Sequence, residues 1–150
     1  MSSLLDLFLK HISTLTKVDG SPKSTGDLIT EATGGRNLVD GHPTWELAHI
    51  KKHDCECMKK CCEAELRKMA TADIVAAPYY FERVAILARK AKAYDVEIEY
   101  CETYIRLIEA FYARHETSRI ADARKGPTYQ AIVARLPKAK KLQSAVSRNT

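Results

Sequence analysis

Residues 76–115 read "AAPYYFERVAILARKAKAYDVEIEYCETYIRLIEAFYARH", and the spacing of their apolar side chains decides the fold class. Pro78 suits a helix's first turn, where its missing N–H costs nothing. Tyr80, Phe81, Val84, Ala85, Leu87 and Ala88 then share one face of a helix that ends near Lys92. A second helix is expected from about Tyr94 to Arg114. In it Tyr94, Ile98, Cys101, Ile105, Ile108 and Tyr112 recur at alternating fours and threes, one continuous seam. Tight linkage around Ala93 makes the two helices antiparallel neighbours.

The rest of the chain follows the same period. Leu4, Leu5, Leu7, Phe8, Ile12 and Leu15 predict an amphipathic first helix, ended by Gly20, Ser21 and Pro22. A short helix is expected from Ser24 to the Gly34-Gly35 break, inside an irregular stretch spanning residues 20–43. From Pro43 to about residue 70 the pattern predicts one long helix, with Thr44 able to cap it. Its apolar face carries Leu47, Ala48, Cys55, Met58, Cys62, Leu66 and Met69, and Ile50, Cys57, Cys61 and Ala64 form a narrower second stripe. Beyond residue 115, short helices are expected before Gly126-Pro127, before Pro137 and after it. Alternating runs joined by hairpin turns are missing, so the expectation is all-α: one domain, about five to seven helices centred on the hairpin of residues 78–114.

That hairpin resembles one tetratricopeptide unit, a helix-turn-helix repeat used mainly for protein-protein contact. Phe81 stands at the family's early aromatic, Val84-Ala85 at its large-then-small pair, and Tyr94 at the aromatic opening its second helix. Ala88, Lys92, Glu97, Cys101, Tyr104 and Glu109 depart from the family pattern, and no second copy follows at the repeat period. The resemblance implies a protein partner. Tyr100, Tyr104, Leu107 and Phe111 form a second line on the helix; if exposed, that line is an interface for another protein or for a second copy of the chain, and if covered by the helix of residues 43–70 it is core.

At 150 residues the chain can bury a core without disulfides or metal. Five cysteines, two of them adjacent, make a poor disulfide framework, and the first residues lack the features of a signal peptide. No stretch approaches the ~20 apolar residues of a membrane span. The expectation is a cytoplasmic protein with reduced thiols and no membrane partner.

Three chemical readings compete with protein contact. "HIKKHDCECMKKCC", residues 49–62, sets His49, His53 and Cys57 four apart, so that His49 and His53 form a chelating pair on a continuous helix with Cys57 one turn further. A cysteine nucleophile would require an oxyanion donor and an orienting group, and neither is identifiable. Without these, and without a glycine-rich phosphate loop, an enzyme is possible but unsupported, and no cofactor is expected. Net charge is +5, and residues 114–150 contribute nine Lys or Arg against two acids. In that basic segment Arg124, Lys125, Arg135, Lys138, Lys140 and Lys141 are the residues that would meet nucleic-acid phosphates. The sequence therefore favours a non-enzymatic, macromolecule-binding protein, an adaptor or inhibitor, with nucleic acid or metal as alternative ligands.

Overall fold

The computed structural model describes residues 16–115 and 121–149. The helix expected over residues 4–15 lies outside them. The described chain is all-α, with six α-helices and one two-stranded hairpin of two residues per strand. It falls into two compact units: one holds the described residues up to Ile50 with Lys60–Ala76, the other Lys51–Lys59 with the described residues from Ala77 onward.

In the first unit, helix α1 spans Thr25–Ala32 and starts where expected. Ser24 Oγ accepts from the Asp27 N–H at 3.1 Å while the Asp27 carboxylate accepts from the Ser24 N–H at 2.8 Å, a reciprocal capping box. Gly34 and Gly35, both at positive φ, turn the chain as expected. A hairpin follows that the sequence reading did not anticipate: β1 (Leu38–Val39) pairs antiparallel with β2 (His42–Pro43). Its signal is the Asp40-Gly41 dipeptide. Both residues have positive φ, the type I′ geometry whose twist matches paired strands. Pro43 thus ends a strand instead of opening a helix.

The long helix expected from Pro43 is two helices, α2 (Thr44–Ile50) and α3 (Cys55–Ala72). The break has a local cause. The Asp54 carboxylate accepts from the Cys57 N–H at 3.0 Å, so Asp54 starts a new helix in place of continuing the old one. Within the first unit, Thr44 Oγ1 donates to the buried Glu65 at 2.8 Å, which ties α2 to α3; Lys68 neutralises the other Glu65 oxygen. Arg67 of α3 donates to the Arg36 and Leu38 carbonyls, holding the hairpin.

The second unit is built on α4 (Pro78–Lys90), α5 (Tyr94–Arg114) and α6 (Pro127–Arg148), with a 3-10 turn at Ala123–Lys125 before α6. The Lys52 carbonyl, in the turn before α3, accepts from Arg83 of α4 at 2.9 and 2.6 Å. Pro78 opens α4 as expected. Its end is a Schellman turn, in which Ala93 N–H donates to Ala88 O at 2.8 Å and Lys92 N–H to Arg89 O at 3.0 Å. Lys92 occupies the left-handed position, φ +58°, that glycine normally fills. The hairpin is antiparallel: the Phe81 ring, early in α4, lies 4.7 Å from that of Tyr104, while Arg89, late in α4, meets Glu97, early in α5.

Helix α6 runs unbroken through Pro137, where two short helices were expected. Pro137 removes one backbone hydrogen bond. It is exposed, however, and the buried residues Tyr129, Ile132 and Ala139 lie on both sides of it along one stripe. Packing of that stripe against α4 and α5 outweighs the lost bond.

Glu97 ties the three helices together. It is fully buried, at 0% exposure, and each carboxylate oxygen takes one guanidinium: Arg89 Nε at 2.9 Å and Arg135 Nε at 2.9 Å. Arg89 also donates to the Arg135 carbonyl at 3.1 Å. Removing one member of a buried pair leaves uncompensated charge. Glu97→Gln is therefore expected to lower unfolding free energy by about 3 kcal/mol, read from the urea midpoint. Glu102→Gln, which cuts the exposed pair with Lys140, is expected to cost less than about 1 kcal/mol.

Candidate functional site

The Tyr100 to Phe111 line is not an exposed stripe. Tyr104 is 0% and Phe111 3% exposed, and Tyr100 and Leu107 are half-buried. The buried face of α5 runs through Glu97, Cys101, Tyr104, Ile108 and Phe111, with Tyr112 beside it. Its centre lies about one residue away from the seam expected through Ile98 and Ile105, because α4 and α6 close over Tyr104: the Phe81 and Tyr129 rings stand 4.7 and 6.2 Å from it. Tyr104 and Phe111 are core residues.

The basic segment is also partly engaged. Arg135 is held by Glu97, and Arg124 donates to both Asp122 oxygens and to Glu109 while lying 4.6 Å over the Tyr112 ring. Those contacts hold the Asp122 carboxyl below its usual range. Both guanidinium groups are thus already engaged by carboxylates. Lys140 pairs with Glu102, and Lys125, Lys138 and Lys141 are exposed.

The metal reading depended on one helix carrying His49, His53 and Cys57, and the turn before α3 interrupts it. His49 ends α2, exposed; His53 lies in the turn with Arg83 Nη2 3.4 Å from its Nδ1; Cys57 has its N–H taken by Asp54. Among the described residues no three His, Cys, Asp or Glu side chains gather in a ligand set. None of the five cysteines is in a disulfide. Burial raises the Cys55 thiol pKa, and burial with Glu97 nearby pushes that of Cys101 up to about 11. These two are the opposite of activated nucleophiles.

What the structure does assemble is a cleft of about 1010 Å³ in the first unit. The Thr16 to Val18 segment, α1, the hairpin and the start of α2 line it. On its wall stands Trp45, the chain's single tryptophan, 57% exposed. Its indole reaches so close to α1 that a Cβ at Gly26 would come within 2.7 Å of Nε1; glycine at that position is what admits the ring. Around it Lys17 pairs with Asp27 at 3.5 Å, Lys23 with Glu31, and His42 with Glu46 at 3.2 Å. The second Glu31 oxygen, Oε2, is buried without a hydrogen-bond partner. Sequence reasoning did not single out Trp45. A lone tryptophan between Thr44 and Glu46 was the available signal, and its exposure depends on folding of residues 16–46 that periodicity does not describe.

No family model, curated protein or solved structure matches the chain. Among the described residues no helix is long and apolar enough to cross a membrane.

Iodoacetamide treatment of the native protein at mildly alkaline pH should modify the half-buried Cys57 and, more slowly, Cys55, while Cys61, Cys62 and Cys101 react only after unfolding. Peptide mass spectrometry reads the pattern, and native labelling of Cys101 would contradict the packing described. Because the folded state holds the Cys101 proton more tightly than the unfolded chain does, stability should fall as pH rises from about 9 through about 11.

Proposed function

We propose that this chain is a non-enzymatic binding protein, a small helical adaptor or inhibitor, that docks another protein through the Trp45 cleft. The observation that carries this reading is a tryptophan left 57% exposed on the wall of a cleft. Tryptophan is the residue type most enriched among energetic anchors of protein interfaces, and leaving it in water forgoes a large burial energy that a partner can supply. The likeness of α4 and α5 to a tetratricopeptide hairpin accords with the same class. Five cysteines with no disulfide between them accord with a cytoplasmic location.

Nucleic acid is the second reading, favoured by one observation. From Pro127 to Asn149 there is no acidic residue, and Lys138, Lys141 and Arg148 are exposed on α6. One experiment separates the two. Tagged wild-type protein, Trp45→Ala and a Lys138→Gln/Lys141→Gln variant are used to capture partners from source cells, with circular dichroism confirming helix content. A protein partner captured by wild type should be lost with Trp45→Ala and kept with the double variant. Retention by Trp45→Ala contradicts the proposal; loss with the lysine variant and at raised salt supports nucleic acid.

A further inference from the structure

We infer that the outward face of α6 is a docking surface for double-stranded DNA, held through its phosphates; this rests on the second reading above, nucleic acid on α6, and narrows it to one ligand. The helical period builds the face. At about 100° per residue, Gln130, Ala134, Lys138, Lys141, Ala145 and Arg148 fall within an arc of about 80°. All are exposed except the half-buried Ala145. On the other side of the helix Tyr129, Ile132 and Ala139 are buried against α4 and α5. Lys138, Lys141 and Arg148 have no carboxylate partner among the described residues. Lys140, about 120° round from the middle of the stripe, is spent on Glu102.

Unspent cations on a helix that lacks any acidic residue from Pro127 to Asn149 complement a polyanion. Lys138 to Arg148 spans about 15 Å of helix axis. Because α6 is unbroken over Pro127–Arg148, its cations are held in a fixed row. Double-stranded DNA presents one negative charge per ~1.7 Å of its axis on an equally stiff rod, so the whole row can meet phosphates without either partner bending. A single strand offers no such row and is ordinarily gripped by stacking its bases on aromatic side chains. The one aromatic residue of α6, Tyr129, is buried beside Tyr104 with its hydroxyl donated to Glu109. Ala134 and Ala145 let the helix backbone come close to a groove wall. The major groove of B-form DNA, about 12 Å wide, admits a helix, whereas that of double-stranded RNA is deep and narrow. Phosphate contacts carry no sequence information, so the binding is indifferent to sequence.

The test is fluorescence anisotropy with the full chain and a labelled, mixed-sequence DNA duplex of about two helical turns. The duplex should bind at least about tenfold more tightly than single-stranded DNA of the same length or an RNA duplex of the same sequence, and a scrambled DNA duplex should bind equally well. The logarithm of affinity should fall with that of salt concentration, with the slope of about three phosphate contacts. Lys138→Gln, Lys141→Gln and Arg148→Gln should each weaken binding and reduce that slope by about 1, while Lys140→Gln leaves it unchanged. Circular dichroism confirms helix content in each variant. Equal affinity for duplex and single strand, tighter binding of RNA, or a Lys140→Gln effect on the slope as large as that of Lys138→Gln overturns the proposal. So does displacement of the DNA by an equal charge of polyglutamate, which would assign the face to an acidic protein segment. If the single strand or RNA binds best and the Lys138→Gln and Lys141→Gln variants lose it, nucleic acid on α6 stands and only the DNA duplex falls; if no nucleic acid binds with a salt dependence, both fall.

Discussion

A carboxylate sealed from water between two guanidinium groups sets the geometry of the larger helical unit. Glu97 accepts from Arg89 of α4 on one oxygen and from Arg135 of α6 on the other. Both bonds must be satisfied together, since burying the charge with either partner missing would cost several kcal/mol. The three helices therefore have a required register as well as an apolar face. Tyr104, Ile108 and Phe111 fall inward because they continue, at steps of three and four, the line on which Glu97 sits. The close turn at Lys92 is compatible with the same constraint. It returns the chain within three residues, which brings Glu97 back beside Arg89.

The helices of residues 78–114, Pro78 at a helix start, the Ser24 cap and the Gly34-Gly35 break were all legible, because each has a local cause in backbone chemistry or in a dominant apolar period. The departures arose where a polar group overrode that period. Asp54 looked like one more polar residue on a helix until its carboxylate took the Cys57 N–H. Pro137 looked like a stop, yet the buried residues on either side of it lie on a single stripe. The Asp40-Gly41 dipeptide carries the turn, but its strands are only two residues long, too short for an alternating apolar period to show. Glu97 moved the α5 seam, since a charged residue does not count as apolar when a helix face is drawn.

The same limit governs the sites. Arg124 and Arg135 read as free cations because sequence does not reveal which arginines already have partners; Asp122, Glu109 and Glu97 consume them. The His49, His53 and Cys57 set assumed a helix that Asp54 interrupts. Tyr104 and Phe111 were large and aromatic, which suits an interface and a core equally. Trp45 differs from them in leaving most of its surface outside the fold. Gly26 is its complement, the one side-chain-free position on α1 that lets the indole approach.

Accessibility of that indole, with and without a bound partner, is the most direct measure of the account. The chain contains one tryptophan, so acrylamide quenching of its fluorescence reports on the cleft alone. The free protein should show the strong quenching of an open indole, and the complex with its captured partner should be protected. An indole already shielded in the free protein, or one equally quenched in the complex, would contradict the assignment of the cleft as the partner site.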